Sequence, residues 1–125
     1  MTVYDVSAVL ALLFREPGAE AIRAELSTGV IGTANLVEVL SKLSDHGMPA
    51  REALRAVTML GLEIVPLMQA QGAATMRPST RALGLSLGDR ACLALARELN
   101  VTALTADRNW AKVAEAAGVA VQVIR

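Results

Sequence analysis

Short β-branched runs alternate with helix-length amphipathic segments along the whole chain. The predicted strands are residues 2–6, 30–33, 62–65, 101–105 and 119–124. The predicted helices are residues 7–15, 19–27, 35–44, 49–60, 69–76, 86–99 and 109–117. Strands that alternate with helices are typical of a parallel sheet covered on both faces. We therefore expect one α/β domain over residues 1–125, with three layers and a central parallel sheet flanked by helices.

The third predicted helix, residues 35–44, has a clear apolar face. Its members are Leu36, Val39, Leu40 and Leu43. Glu38 projects from the opposite side, together with Lys42 and Asp45. Periodicity alone therefore predicts that Glu38 is a solvated surface residue.

Composition narrows the class of protein. The chain is 54% hydrophobic and 19% charged, which excludes disorder and favours apolar surface for a partner. Its longest apolar stretch, residues 6–14, is shorter than the about 18 residues that a membrane span needs. Asp5 precedes that stretch, where a signal peptide would carry Lys or Arg. The one cysteine, Cys92, sits in an apolar run, which indicates a buried thiol in a reducing compartment. We expect a cytoplasmic protein without a membrane segment.

Acidic residues stand where strands give way to helices. Asp5 and Asp107 end the first and fourth predicted strands, and ligands of such sheets bind beyond the carboxyl ends of the strands. Each carboxylate either caps the helix that follows or pairs with a cation. Asp89 matches a capping box with Ser86 and could also belong to a site. Both interpretations remain open for all three acids.

Together with Glu38, these acids belong to one rim of the predicted sheet. Carboxylates gathered there would repel one another unless a cation neutralised them. Hard oxygen ligands select Mg²⁺ or Mn²⁺. No Cys/His set exists for zinc, because the one histidine, His46, lies at a helix end. The residues therefore predict a Mg²⁺ or Mn²⁺ site at this rim.

Four segments carry a resemblance to a known family. They are VYDVSAVLALL at 3–13, TANLVEV at 33–39, LSLGDRACLALA at 85–96 and LTADRNW at 104–110. In order and spacing the chain resembles the PIN-domain family, and specifically the VapC-type toxins of toxin–antitoxin systems. The resemblance covers nearly the whole chain, and its specificity lies in the four motifs together.

The resemblance implies a metal-dependent endoribonuclease with Asp5, Glu38, Asp89 and Asp107 as its acidic cluster. One or two Mg²⁺ or Mn²⁺ ions held there would activate a water for attack on a phosphodiester of a structured RNA, such as tRNA or rRNA. The implied partners are a small VapB-like antitoxin and a second copy of the chain. Residues 50–60 and 10–14 are candidate apolar surfaces for the homodimer, with core packing as the alternative.

Neighbouring residues complete the predicted site. Ser7 and Thr105 are expected to orient the carboxylates or metal-bound waters, or simply to satisfy local backbone groups. Arg90 and Arg108 each follow a site acid and are the candidates for contacting RNA phosphates. Trp110 would either stack on a base or pack in the core.

Two other functions share an acidic rim. A receiver domain or a haloacid-dehalogenase-like phosphatase would need a lysine there, and the only lysines, Lys42 and Lys112, are not at strand ends. A binding module without catalysis would not need all four acids. The zero net charge does not exclude RNA: with four of the 12 acidic residues at a metal site, the 12 basic residues exceed the remaining acids by four.

Overall fold

A single parallel sheet forms the centre of the molecule. A computed structural model describes residues 1–66 and 70–125. Within these residues five parallel strands pair in the order β3-β2-β1-β4-β5. They are β1 (Thr2–Tyr4), β2 (Gly29–Gly32), β3 (Glu63–Val65), β4 (Thr102–Thr105) and β5 (Val121–Val123). Each predicted strand is confirmed, with ends that differ by at most two residues.

Helices connect the strands. They are α1 (Val6–Phe14), α2 (Ala19–Arg23), α3 (Thr33–Asp45), α4 (Ala50–Thr58), α5 (Ala70–Thr75), α6 (Arg77–Thr80), α7 (Leu87–Leu99) and α8 (Val113–Ala117). Short 3₁₀ turns occupy Leu26–Thr28, Arg81–Leu83 and Arg108–Lys112. The start of the predicted helix 69–76 lies outside the described residues. Residues 77–83, for which the sequence predicted no element, form α6 and a 3₁₀ turn.

Alternating side chains divide the core into two layers. Tyr4, Ile31 and Leu104 pack on one face of the sheet, against α1 to α4. Val3 and Val30 lie in the layer on the other face, which contains residues of α5, α7 and α8. Since both faces are covered, the predicted three-layer α/β fold is confirmed.

Strand order creates a crevice between β1 and β4. From β1 the chain turns into α1 on one face, whereas from β4 it turns into the 3₁₀ segment Arg108–Lys112, whose Trp110 packs on the other face. Neighbouring parallel strands that send their connections to opposite faces leave a crevice at their carboxyl ends. Asp5 directly follows β1, and Asp107 follows β4 after one residue, so both lie at this position.

The single tryptophan and the single cysteine of the chain both contribute to packing. Trp110 and Cys92 are fully buried in the second layer. Trp110 therefore packs in the core and does not present a face to a base. Burial is also the main cause that raises the pKa of the Cys92 thiol well above its usual value, as expected for an inert core cysteine.

The surfaces suggested for a homodimer are only partly exposed. In α4, Ala53 and Val57 pack in the first layer, whereas Leu54 and Met59 face outward. At the end of α1, Phe14 is exposed and contacts the ring of His46. None of the helices in the described part of the chain combines the length and apolar character that a membrane crossing requires.

A buried hydroxyl gives a test of the first layer. Tyr4 is fully buried, and its hydroxyl donates to the Ile22 carbonyl at 3.1 Å, which ties β1 to α2. Tyr4→Phe should lower the free energy of unfolding by about 1 kcal/mol, because it removes a buried hydrogen bond. Ser41→Ala removes an exposed hydroxyl that donates to the Val37 carbonyl and should change stability by less than about 0.5 kcal/mol. Equal effects of the two substitutions in urea unfolding would contradict this account.

Candidate metal centre

Asp5 forms the floor of the crevice. Its backbone amide donates to the Leu104 carbonyl at 2.9 Å, which continues the pairing of β1 with β4 by one residue. Its side chain caps α1 by accepting from the Ala8 amide at 2.8 Å. Only 3% of the residue is exposed. The capping interpretation of Asp5 is confirmed, and the same position buries its carboxylate.

Two hydroxyl groups hold this carboxylate. Ser7 Oγ lies 2.8 and 2.9 Å from the two Asp5 oxygens, and Thr105 Oγ1 donates to Oδ2 at 2.6 Å. The hydroxyls in turn accept from the amides of Ala106 and Asp107. Ser7 Oγ and Thr105 Oγ1 also lie 3.1 Å apart, so the two hydroxyls and the Asp5 carboxylate form one hydrogen-bonded group. Ser7 and Thr105 therefore fix the orientation of the carboxylate.

Burial changes the protonation of Asp5. Loss of hydration raises its pKa from 3.8 to about 6, and the negative charge of Asp89 adds to the increase. Hydrogen bonds from Thr105, Ala8 and Ser7 oppose this shift without cancelling it. The folded protein therefore places a carboxylate where a negative charge is costly, which a nearby cation would offset.

Asp89 and Asp107 also take part in caps at the start of helical segments. Asp89 Oδ2 accepts from the Ser86 amide at 2.9 Å, and Ser86 Oγ accepts from the Asp89 amide at 3.1 Å, which completes a capping box. Asp107 Oδ1 accepts from the Asn109 amide at 2.9 Å. Both capping interpretations are confirmed. Within the described residues the capping bond occupies one oxygen of each carboxylate, so the other oxygen can meet a ligand.

Glu38 lies where the N-terminal turn of α7 packs against α3. Its Oε2 occupies the space that a side chain on Gly88 would fill, and the residue is partly buried. The periodicity-based prediction of a solvated Glu38 is therefore wrong. The apolar face of α3 packs in the first layer, and α7 meets the opposite, polar side of the helix.

These elements enclose a cleft of about 190 Å³. Its lining residues are Asp5, Val6, Ser7, Leu10, Glu38, Lys42, Asp89 and Asp107. The structure thus brings the four predicted acids to one cleft, from four separate segments of the chain. It also brings Lys42 there, which contradicts the argument that no lysine lies at the rim. The sequence did contain a signal for the position of Lys42: it is four residues from Glu38, and residues four apart share a helix face.

Comparison with known families decides the classification. The profile of the PIN domain family matches residues 2–116. The chain belongs to the PIN domain family. No curated protein sequence matches it significantly.

Solved structures share the fold of this PIN domain at low sequence identity. VapBC2 from Rickettsia felis, bound to a promoter DNA fragment, matches with a TM-score of 0.76 and 14% identity, covering 98% of this chain and 97% of the other. A toxin–antitoxin complex from Klebsiella pneumoniae gives 0.73 and 18%, covering 100% and 98%. VapBC-1 from nontypeable Haemophilus influenzae gives 0.71 and 17%, covering 98% and 96%.

The two arginines predicted to contact RNA lie outside the cleft lining of the PIN domain. The Arg90 guanidinium donates to the Ala73 carbonyl at 3.4 Å, and its Nε is buried with no hydrogen-bond partner among the described residues. Arg108 is exposed and donates to the Arg125 carbonyl at 3.3 Å. Their RNA contacts remain predictions.

The donor set has the chemistry of a divalent-cation site. All four acids in the cleft offer carboxylate oxygens, which Mg²⁺ and Mn²⁺ prefer. Across residues 1–66 and 70–125, however, no three Asp, Glu, His or Cys side chains are close enough to form a metal site as they stand. The cleft thus matches a divalent cation in the type and charge of its donor atoms, but not in their separations in this structure.

Asn35 is a polar residue of this region that the hydrophobic pattern did not single out. It lies in the first turn of α3, is 1% exposed, and its Nδ2 donates to the Gly88 carbonyl at 3.0 Å. A buried amide at the start of an amphipathic helix leaves no periodic signature, so only its contact in the fold reveals it.

Titration of Asp5 gives a test of its burial. Because its pKa is higher in the folded state, its contribution to stability is full below about pH 4 and is lost as the pH rises through 6. Relative to Asp5→Asn, the wild-type free energy of unfolding should fall by on the order of 2–3 kcal/mol between pH 4 and 7.5. Urea unfolding in EDTA measures this difference, and parallel pH profiles would show that the carboxylate is not buried in this way.

Proposed function

We propose that this PIN domain is a Mg²⁺- or Mn²⁺-dependent endoribonuclease that acts as the toxin of a VapBC-type pair. The observation that carries the nuclease assignment is the cleft itself, which four carboxylates line at the carboxyl edge of the sheet. The toxin assignment draws on the structural relatives, several of which are toxin–antitoxin complexes.

The four carboxylates of the cleft would bind the metal. Asp5, Glu38, Asp89 and Asp107 would hold one or two cations. A divalent cation held there would supply a more acidic water and positive charge at the phosphate oxygens. Asp89 and Asp107 keep fixed rotamers through their capping bonds and present their second oxygens. Ser7 and Thr105, which donate to Asp5, would keep the floor of the site rigid; we assign them positioning roles.

Lys42 would bind the RNA substrate. It is an exposed cation in the lining of an otherwise acidic cleft and makes no ion pair within 4 Å in the described structure. Its ammonium group can therefore contact an RNA phosphate and reduce the repulsion between that phosphate and the carboxylates.

The position of Lys42 also bears on the phosphatase or receiver alternative, because both of these proteins need a lysine at the rim. The family match speaks against it, because the profile of the PIN domain family matches residues 2–116. A non-catalytic RNA- or partner-binding module would not require four acids in one cleft. We therefore favour the nuclease.

Cleavage of a structured RNA tests the assignment. Purified protein should cut a tRNA and rRNA pool with Mg²⁺ or Mn²⁺ and lose this activity in EDTA. Asp5→Asn, Glu38→Gln, Asp89→Asn and Asp107→Asn should each lower the rate roughly 100-fold or more, because metal-assisted charge stabilisation is worth several kcal/mol. Asp45→Asn, at an exposed acid of α3 outside the cleft, is the control and should cleave like the wild type.

Two outcomes would refute this function. Cleavage that persists in EDTA and in the Asp5→Asn variant would exclude the metal mechanism. Phosphorylation of the protein by a small phosphodonor such as acetyl phosphate, without cleavage of RNA, would favour the receiver or phosphatase alternative.

An apolar groove beside the cleft suits the expected antitoxin. It has a volume of about 350 Å³, shares Glu38 with the cleft, and includes the exposed side chains of Val37 and Leu87. We place an apolar segment of the antitoxin in this groove, from which it would block access of RNA to the cleft.

Binding of a small antitoxin that copurifies with the protein tests the groove. Val37→Ser and Leu87→Ser together should weaken its binding about tenfold, since two buried apolar contacts are lost. The free toxin should retain its cleavage rate. Met59→Ser, at an exposed methionine outside this groove, is the matched control. Unchanged affinity in the double variant, measured by calorimetry, would place the antitoxin elsewhere.

A further inference from the structure

Helices α3 and α7 approach each other closely at two glycines. A Cβ on Gly32, directly before α3, would lie 3.1 Å from Leu95 Cδ2 of α7. A Cβ on Gly88, in the first turn of α7, would overlap Glu38 Oε2 and lie 3.4 Å from its Cδ. The missing side chains allow a separation that larger residues would prevent.

The side-chain amide of Asn35 fills the space between these glycines. Its Oδ1 lies 3.6 Å from the Cβ position of Gly32, and its Nδ2 lies 3.8 Å from that of Gly88. Nδ2 donates to the Gly88 carbonyl at 3.0 Å, across 53 residues of sequence. This hydrogen bond joins the first turn of α3 to the first turn of α7.

The stability of the fold does not account for this amide. Asn35 is 1% exposed, and its Oδ1 is buried with no hydrogen-bond partner in the described structure. An unpaired buried carbonyl costs about 1–3 kcal/mol, which offsets or exceeds the gain from one hydrogen bond. An apolar residue of similar size would avoid that cost. The amide therefore points to a need for the specific contact with Gly88.

The contact acts on two of the cleft acids. Gly88 directly precedes Asp89, and Glu38 lies one turn beyond Asn35 on α3. We propose that Asn35 is a positioning residue, which fixes the start of α7 against α3 and so sets the separation of the Glu38 and Asp89 carboxylates across the cleft. Gly88 is the side-chain-free surface on which the Glu38 carboxylate rests. This inference rests on the proposed metal-dependent function.

Gly88→Ala tests the role of the surface. The added methyl group displaces the end of a flexible glutamate side chain, and alanine favours a helix over glycine. We expect the melting temperature to stay the same or rise. The dissociation constant for Mn²⁺ alone, measured by calorimetry without RNA, should rise about tenfold, a typical loss when an outer-shell contact of a metal site is removed.

Asn35→Leu tests the hydrogen bond. Leucine matches the branching of asparagine, with bulkier methyl groups, and removes the unpaired oxygen, but it cannot donate to the Gly88 carbonyl. The variant should fold and melt near the wild-type temperature, while its Mn²⁺ affinity and its rate of RNA cleavage both fall about tenfold. Ser41→Ala, at an exposed position on the same helix, is the control and should change none of the three quantities.

A double variant separates positioning from packing. In a Glu38→Asp background the shorter carboxylate no longer rests on Gly88, so Gly88→Ala should cause no further loss of Mn²⁺ affinity. Equal losses in the two backgrounds would mean a general packing effect and would overturn the inference, as would wild-type Mn²⁺ affinity in Gly88→Ala and Asn35→Leu.

The proposed function fails by a different pattern. If the wild-type protein binds no Mn²⁺ and cleaves no RNA, the function and the inference fall together. If the wild type binds Mn²⁺ and cleaves RNA while the two variants match it, only the positioning role of Asn35 is wrong.

Discussion

A carboxylate buried at the junction of β1 and β4 is the constraint on which the site depends. Asp5 continues the sheet with its backbone, begins α1 with its side chain, and has almost no contact with solvent. Hydrogen bonds from the Ser7 and Thr105 hydroxyls stabilise its negative charge only partly, so the pKa of Asp5 remains raised. The fold is therefore arranged around a charge that it does not fully neutralise, and the proposed cation would supply what is missing.

The architecture explains why the acids meet. In a parallel sheet with connections on both faces, strands that end and helices that begin share one rim. Asp5 and Asp107 reach the rim by ending strands, whereas Glu38 and Asp89 reach it on helices that start there. Lys42 follows because it stands one turn beyond Glu38. Residues far apart in sequence thus form one cleft through topology, without long loops.

Sequence patterns predicted the strands and most helices because local burial and caps leave local signatures. They also identified Asp5, Asp89 and Asp107, which stand at boundaries that such signatures mark. The position of Glu38 near the start of α3 did predict that it lies at the rim. Helix periodicity alone misplaced Glu38, because it shows the main buried face of α3 and cannot show that α7 packs on the other side. Asn35 was missed for the same reason: its partner, Gly88, is 53 residues away.

Three of the cleft acids also take part in helix caps: Asp5 and Asp107 are N-caps, and Asp89 completes the capping box at the start of α7. A capping residue takes its side-chain conformation as its helix forms, so the geometry of the cleft arises from local folding and needs no later adjustment. Asparagine caps a helix about as well as aspartate, whereas alanine does not. An aspartate-to-asparagine change at one of these positions would therefore keep the cap and the shape of the cleft, while it removes one negative charge from the proposed cation site.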